Sequence, residues 1–589
     1  MCGIVGYCGN KKAAPVLIAG LKKLEYRGYD SAGIATLYKG GYRLVKKKGR
    51  VEGLGDGKDV KGNVGIGHTR WATHGAPSTR NAHPHVFGQV AIVHNGIIEN
   101  AAELKKECLA RGEKFASETD SEVIAHLINR FYRGDLAAAL RACTQRLTGS
   151  YAIAVLAAGS PDTIACARQK SPLVVAKNRA GELLLASDIP AVAEEGLQVC
   201  TLQDGEIALL QNGEITLFDS TMRRINRDFF VCDAQISAPA KNGYEHFMYK
   251  EITEIPFAMR NSMPDFTQNQ DFSAFYKVLC QAKYIEIVAC GTAYHSGLCA
   301  AFAFEKICRI PCRVSLASEY RYRDPIVPEG ALVLAISQSG ETADTLAAAQ
   351  LAKERGACLA ALTNVGHSSI TTLADFVILT GAGQEVAVAA TKSFNAQLAT
   401  LYAMVQALAA HQGTKVECRD LPALAALSLK ASERVRSWTP YFTGAKSVFF
   451  LGRGADCFVA SEGSLKLKEI SYIPSEGYAA GELKHGTLAL VDKETAVVAV
   501  ITQQSVAQKT MNAVHEAYAR GAKVFLVTAF PEYGKREEIV DHVVIPTCEE
   551  AFSPALSVIP LQVLAYSVCL ACGYDPDKPR NLAKSVTVE

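Results

Sequence analysis

The sequence has little excess charge of either sign. Its 62 basic and 59 acidic residues leave a formal net charge of +3, and they are spread along the chain without a basic stripe. A protein that follows a nucleic-acid backbone needs such a stripe, because contacts to phosphate dominate that kind of binding. We therefore expect no nucleic-acid partner.

No segment has the features of a secretion signal or of a membrane span. Residues 2–6 lack the basic start and the long apolar run that secretion requires. The apolar runs elsewhere are strand-sized or are broken by polar residues, whereas a membrane-spanning helix needs about 20 apolar residues. The sequence predicts a cytoplasmic protein without membrane contact.

The 18 cysteines lack the pattern of a disulfide framework or of a zinc site. They are scattered over 589 residues, whereas disulfide frameworks are typical of short secreted chains. Cys569 and Cys572 form a lone C-x-x-C, and the second pair that a zinc ribbon requires is missing. We expect buried free thiols, no metal and no organic cofactor.

The composition predicts a folded protein of several domains. Hydrophobic residues make up 49% and charged residues 21%, which is close to the globular average. Up to about residue 235, short β-rich runs alternate with glycine turns and a few helices, a pattern typical of an α+β domain. From about residue 275, apolar β-runs alternate with alanine-rich helical segments, which indicates parallel sheets covered by helices. The polar segment 235–274 is predicted to be a linker.

The second part of the chain is predicted to be duplicated. Residues 285–292 resemble 448–454, and residues 356–363 resemble 521–528, so similar segments recur roughly 165 residues apart. This spacing predicts one α/β lobe over 275–415, another over 440–579, and a tail over 580–589. Such folds bind ligands at the carboxyl ends of their strands.

The start of the chain offers a nucleophile. If Met1 is removed, Cys2 carries both a thiol and an α-amine, and the amine can act as the base that activates the sulfur. An accidental terminal cysteine is the alternative from Cys2 alone.

Three further segments provide groups that suit an amino-acid amide. Arg70, in the donor-rich block 68–75, can bind a carboxylate with its guanidinium fork. Asn95 and Gly96 end a strand and can form an oxyanion hole. Asp120 precedes a helix, where it can bind an ammonium group or serve as an ordinary N-cap.

These blocks, together with residues 2–6 and 26–33, resemble the class II glutamine amidotransferases, which are N-terminal nucleophile enzymes. The resemblance implies a four-layer αββα domain over residues 2–234. It implies that Cys2 is the nucleophile, that Asn95 and Gly96 form the oxyanion hole, and that Arg70 and Asp120 hold glutamine. It also implies that Trp71 helps to gate ammonia and that three residues line the pocket: Thr73, His74 and His83. For His83, an ordinary surface-loop histidine is the alternative.

A phosphate site is predicted after the buried strand 331–336. Four neighbouring residues carry polar side chains at the start of an alanine-rich helix: Ser337, Gln338, Ser339 and Thr342. Hydroxyl groups and free N–H groups at a helix N-terminus suit a phosphate monoester. Helix capping by Ser339 and Thr342 is the alternative.

Acid–base groups follow in the second lobe. Lys466 and Glu469 are three residues apart on a predicted helix, and His485 lies in a glycine-broken loop. Ketose-to-aldose isomerisation needs a base that moves a proton between adjacent carbons and a group that opens the sugar ring. A carboxylate and a histidine meet those needs, although Lys466 and Glu469 considered alone would most often be a surface ion pair.

The second part resembles the sugar isomerase (SIS) domains of sugar-phosphate aminotransferases, through to the last residues of the chain. The resemblance implies that Glu469 is the isomerisation base, assisted by Lys466, and that His485 opens the ring from a neighbouring subunit. It thus implies a homodimer or a higher homo-oligomer. It assigns the sugar phosphate to Thr292, Ser337, Gln338, Ser339 and Thr342. Lys584 would lie in the tail that closes the site, and a structural tail lysine is the alternative.

The chain departs from the usual pattern at a few positions. Ala293 and Ala390 stand where relatives generally carry serine near the sugar phosphate, and Pro474 replaces a histidine of many bacterial relatives. The glutaminase half also lacks the long insertion of animal and fungal relatives, which favours a bacterial-type enzyme.

Together, the two halves imply transfer of the amide nitrogen of glutamine to fructose 6-phosphate, which yields glucosamine 6-phosphate for hexosamine synthesis. A transferase for another phosphorylated sugar and a non-catalytic sugar-phosphate sensor are the alternatives.

Overall fold

The computed structural model describes residues 2–232 and 241–587, apart from the side chain of Tyr26. The described residues divide into two compact units. One holds residues 2–232 together with 585–587, and the other holds 241–584.

The first unit contains two antiparallel sheets. The larger has eight strands, in the spatial order Phe230–Val231, Gln198–Thr201, Val174–Lys177, Leu183–Ala186, Gly3–Cys8, Val64–Arg70, Ser31–Tyr38 and Gly41–Lys48. The smaller has seven, in the order Arg224–Ile225, Glu214–Phe218, Ile207–Gln211, Ser160–Gln169, Gly149–Ala157, Val90–Ile98 and His85–Phe87.

Helices cover the outer faces of these sheets. Ile4 packs into the core between the sheets, whereas its neighbour Val5 packs under the helix Ala13–Lys23, as the period of two in a strand requires. The smaller sheet packs on its outer face against the helices Glu122–Phe131 and Leu136–Thr144. The helix Ala101–Ala110 buries Leu104 and Cys108. The predicted four-layer αββα arrangement is therefore confirmed.

The second unit begins earlier than the sequence predicted. Within the segment 235–274, residues 235–240 lie outside the described part, but two helices follow, Phe247–Thr253 and Ile255–Asn261. Their apolar residues Met248, Ile252 and Met259 are fully buried in the core of the second unit. Residues 247–261 are thus part of this core rather than a linker, because the apolar face of their helices packs against the other residues of that core.

The first lobe is a five-stranded parallel sheet, as predicted. Its strands lie in the order Cys312–Leu316, Tyr284–Ala289, Ala331–Ile336, Cys358–Thr363 and Phe376–Leu379. Its helices are Ser273–Gln281, Gly291–Ala303, Ala317–Tyr320, Ala343–Glu354, Ser369–Leu373 and Lys392–His411. After the strand Tyr284–Ala289, the chain forms Cys312–Leu316 on one side of it and then Ala331–Ile336 on the other side. This reversal places a crevice at the carboxyl ends of Tyr284–Ala289 and Ala331–Ile336.

The second lobe repeats this topology. Its parallel strands lie in the order Ser475–Ala479, Val448–Gly452, Ala496–Ile501, Lys523–Thr528 and Ile539–Val544. Its helices, with the two that precede its first strand, are Leu421–Ser432, Thr439–Phe442, Ala455–Ser471, Gln504–Tyr518 and Pro554–Ala571. The matching strand orders confirm the duplication.

The lobes differ at the crevice. In the second lobe the helix Ala455–Ser471 carries Asp456 at the position that corresponds to Thr292. The buried Asp456 carboxyl group accepts hydrogen bonds from the backbone N–H of Thr502, at 2.8 Å, and from the hydroxyl of Thr502. In the second lobe, this corner of the crevice is thus occupied by the Asp456 carboxyl group.

One described helical stretch, Glu550–Ala571, is long and apolar enough to cross a membrane. However, 89% of its apolar window is buried inside the protein. It packs in the core shared by the two lobes.

Candidate active sites

Cys2 lies beside the end of a central strand of the larger sheet. Because Gly3 pairs with Thr69 on the neighbouring strand, Cys2 is brought next to Arg70 and Trp71. The Cys2 Sγ accepts a hydrogen bond from the Trp71 backbone N–H at 3.3 Å. Burial raises the pKa of the Cys2 thiol, and the Trp71 N–H and the Arg70 guanidinium oppose that shift. The sulfur therefore needs a base before it can attack.

Asn95 and Gly96 lie in the strand Val90–Ile98, close to the nucleophile. The Asn95 Nδ2 donates to the Cys2 carbonyl oxygen at 3.1 Å. Gly96 has φ of +128°, and a Cβ at this position would lie 2.0 Å from the Ser150 carbonyl oxygen. Only glycine fits there. The pair predicted to form an oxyanion hole is thus held at Cys2.

Arg70 and Asp120 supply opposite charges in the same unit. Arg70 is buried, and its Nη2 donates to the carbonyl oxygens of His74 and Gly75, the latter at 2.8 Å. Its Nη1 has no hydrogen-bond partner among the described residues, so it remains available for a ligand carboxylate.

The geometry of Asp120 does not support the N-cap alternative. Its Oδ2 accepts from the Ile98 backbone N–H at 2.9 Å. The helix Glu122–Phe131 has Ser121 at its N-cap position, and no side chain caps it. A carboxylate held in this way at the end of the strand that carries Asn95 fits an ammonium group.

The remaining predicted pocket residues differ in exposure. Thr73 and His74 are exposed, and Trp71 is half-buried with its ring edge-on to Tyr29, 5.9 Å between centroids. His83 is buried, so the surface-loop alternative is wrong.

His83 stabilises the neighbouring strands in neutral form. Its ring stacks on His68 with centroids 4.1 Å apart, and its Nδ1 accepts from the His94 backbone N–H at 3.2 Å. Burial lowers the pKa of His83 far below its ordinary value.

The predicted phosphate residues lie at the crevice of the first lobe. Thr292 and Ser337 follow adjacent strands, since Ala289 pairs with Ile336. The Ser337 Oγ accepts from the Gly340 N–H at 3.1 Å and lies 2.9 Å from the Thr342 Oγ1. Thr342 occupies the N-cap position of Ala343–Glu354 without a side-chain cap bond. The hydroxyls therefore shape the loop rather than cap the helix.

Gly340 keeps this loop tight. Its φ is +67°, and a Cβ would lie 2.0 Å from the Ser368 Oγ. The half-buried side chains of Gln338 and Ser339 lie on the same loop, and the Ser339 Oγ accepts from the Glu341 N–H at 3.2 Å.

Lys466 connects the two lobes at this crevice. Its Nζ lies 2.7 Å from a Glu469 carboxylate oxygen and donates to the Thr292 Oγ1 at 2.9 Å. The Lys466 side chain is 1% exposed and that of Glu469 is 20% exposed. The surface ion-pair alternative is therefore wrong, because the cation is completely enclosed.

Two residues of this cluster were missed by the sequence analysis. Glu462 is fully buried, with one oxygen 3.4 Å from the Lys466 Nζ and 3.0 Å from the Thr292 Oγ1. Its other oxygen lies 2.7 Å from His295 Nδ1. Glu462 lies four residues before Lys466 and seven before Glu469, so its helical spacing could have revealed it.

His485 and Lys584 are not in comparable positions. His485 is exposed on its loop. Lys584 pairs with the buried Glu385, which also accepts from the Ser393 hydroxyl at 2.7 Å and from the Thr391 N–H at 2.9 Å. Burial opposes ionisation of Glu385, yet Lys584 and these donors lower its pKa to about 2.

Among the described residues, Cys108, Glu113 and His126 form a cluster of side chains of the kinds that bind metal ions. The Arg130 Nη2 lies 3.2 Å from the Cys108 Sγ and 3.1 Å from Glu113, and His126 Nδ1 lies 2.6 Å from Glu113. The guanidinium occupies the place that a cation would need, so this cluster is an ion-pair network.

Comparisons with known proteins identify both kinds of domain. A family model described as SIS domain matches residues 278–407 and 441–571, and one described as glutamine amidotransferase domain matches residues 68–194. The solved C-terminal domain of glucosamine-fructose-6-phosphate aminotransferase from Francisella tularensis is 37% identical. It covers 58% of this chain and 100% of its own, with a TM-score of 0.55.

Curated relatives match along the full length. The glutamine–fructose-6-phosphate aminotransferases (isomerizing) of Caldanaerobacter subterraneus subsp. tengcongensis and Clostridium tetani are 46% and 44% identical, over 100% of both chains. This chain belongs to the glutamine–fructose-6-phosphate aminotransferase (isomerizing) family.

Proposed function

We propose that the protein transfers the amide nitrogen of L-glutamine to D-fructose 6-phosphate and isomerises the product to D-glucosamine 6-phosphate, releasing L-glutamate. One observation carries the proposal. A single chain of this family holds Cys2 with its Asn95 and Arg70 partners in one unit, and a buried Lys466–Glu469 pair beside a hydroxyl-rich loop in the other.

The first reaction takes place at Cys2. Its sulfur attacks the amide carbon of glutamine while the α-amine of a trimmed chain accepts the thiol proton. Asn95 and Gly96 stabilise the oxyanion, Arg70 binds the substrate carboxylate, and Asp120 binds the substrate ammonium. Ammonia leaves, and water hydrolyses the thioester to glutamate.

The second reaction takes place at the crevice of the first lobe. The loop Ser337–Thr342 and Thr292 bind the phosphate. Ammonia adds to the ketose carbonyl carbon of the open-chain sugar, and water is lost. Glu469 then moves a proton from C1 to C2, with Lys466 beside it, which gives the amino aldose.

The assembly and the setting of the enzyme are part of the proposal. His485 is exposed on its own chain, which supports a role in ring opening at a neighbouring subunit and hence a homodimer or a higher homo-oligomer. Lys584 would reach the sugar when it leaves Glu385. All 18 cysteines are free thiols, which supports a reducing, cytoplasmic setting.

The deciding experiment supplies the purified protein with amide-¹⁵N glutamine and fructose 6-phosphate. We expect glucosamine 6-phosphate that carries the label at its amino nitrogen. Turnover of another sugar phosphate in preference to fructose 6-phosphate would favour the related transferase, and binding without any glutamine-dependent product would favour the sensor.

A further inference from the structure

The sugar site holds more negative than positive charge around Lys466. Two carboxylates, Glu462 and Glu469, approach its single ammonium group at 3.4 and 2.7 Å. Glu462 is fully buried, and both of its oxygens are engaged. A buried carboxylate needs several donors to remain ionised and fixed.

His295 provides the hydrogen-bond donor for the second carboxylate oxygen of Glu462. It lies one helical turn after Thr292 on Gly291–Ala303, and its Nδ1 is 2.7 Å from the Glu462 Oε2. An ionised carboxylate only accepts, so Nδ1 carries the hydrogen of this bond. The pKa of Glu462 is lowered despite its burial, because Lys466, His295 and Thr292 all favour the charged form.

We propose that His295 is a positioning residue for the sugar site, which acts through Glu462. Its Nδ1–H holds one oxygen of Glu462 away from Lys466, so that the ammonium group stays directed at Glu469 and Thr292. Without this bond the freed oxygen has Lys466 as its remaining donor. It then competes with Glu469 for the ammonium group and displaces the proton-transfer carboxylate.

The inference depends on the proposed function for the role of Glu469, and the experiment separates the two. His295→Leu removes the donor, whereas His295→Asn places an amide N–H where Nδ1–H was and removes the imidazole base. An exposed histidine outside the site, His411→Leu, is the matched control. Wild-type synthesis of glucosamine 6-phosphate tests the proposed function by itself.

We expect His295→Leu to lower kcat for glucosamine 6-phosphate formation roughly 10- to 100-fold with an unchanged KM for fructose 6-phosphate, since a buried acceptor loses its partner. His295→Asn should recover most of this loss. In a Glu462→Met background, His295→Leu should have little further effect, because the acceptor of this hydrogen bond is already absent.

Crystal structures give a readout that does not need turnover. His295→Leu should lengthen the 2.7 Å contact between Lys466 and Glu469, and His295→Asn should restore it. Normal synthesis by His295→Leu, or additive losses in the double variant, would overturn the inference. A His295→Asn enzyme as slow as His295→Leu with intact geometry would also overturn it, by assigning the imidazole to the chemistry itself.

Discussion

The Cys2 thiol accepts a hydrogen bond from the Trp71 backbone in the first unit. We expect Cys2→Ala to abolish glutamine hydrolysis while sugar-phosphate isomerisation continues, because the thiol is needed for amide cleavage alone. Glutamate release and the conversion of fructose 6-phosphate to glucose 6-phosphate measure the two activities. Normal glutamate release by the variant would rule out Cys2 as the nucleophile.

Glu469 is the carboxylate whose basicity can be removed with the least change in shape. Glu469→Gln keeps the volume and a hydrogen-bonding group near Lys466, so we expect turnover to glucosamine 6-phosphate to fall by about 100- to 10,000-fold. Glutamine hydrolysis and the melting temperature should remain close to wild type, because Cys2 lies in the other unit. Near-normal synthesis would contradict the assignment of the base.

Among the elements, the helix Phe247–Thr253 carries a buried acid beside Glu385. The Glu251 Oε1 accepts from the Val386 and Ala387 N–H groups, and its Oε2 has no partner among the described residues. Burial, and then the Glu385 charge, raise the pKa of Glu251 from 4.5 to about 8. The folded state therefore keeps a proton that the unfolded chain loses, and stability contributed by this group falls as the pH rises from about 4.5 to about 8.

Glu251→Gln should remove that dependence, since the amide stays neutral at every pH. Relative to the variant, the free energy of unfolding of wild type should fall by about 1.4 kcal/mol per pH unit over this range. We therefore expect the melting temperature of the variant, relative to that of wild type, to increase between pH 5 and pH 8. Exposed Glu103→Gln is the control. Parallel melting curves for wild type and Glu251→Gln over this range would show that Glu251 is ionised in the folded protein.

Local sequence patterns correctly predicted those helices and strands whose formation depends on the residues of one segment alone. The strand Ala331–Ile336 and the helix that carries Lys466 were predicted in this way. The helices of 247–261 were missed because their burial depends on a distant surface. The contact between His295 and Glu462 could not be predicted for the same reason, since the two residues lie 167 residues apart and meet only when the two lobes pack. Local helical spacing points to Glu462 but not to its partner.

For the whole molecule, the proposed sharing of His485 between subunits predicts complementation. Glu469→Gln and His485→Ala should each be inactive alone, but a mixed dimer has one site with both residues intact. Random exchange should therefore restore about a quarter of the wild-type sites. Synthesis rates before and after joint refolding, with sedimentation to show the dimer, measure this. Mixtures that remain inactive although heterodimers form would place His485 and Glu469 in the same subunit's site.

The acid at position 456 limits what the duplicated architecture can bind. Asp456 occupies the corner of the second lobe that corresponds to Thr292, and its buried carboxyl group accepts from both the N–H and the hydroxyl of Thr502. A pair of identical lobes would have to keep both a phosphate loop and a proton-transfer helix in each copy. Fusion into one chain allowed the copies to specialise, so that the first lobe keeps the loop and the second keeps Lys466 and Glu469. We therefore expect each protomer to bind a single equivalent of sugar phosphate, and we expect neither lobe to catalyse the reaction without the other.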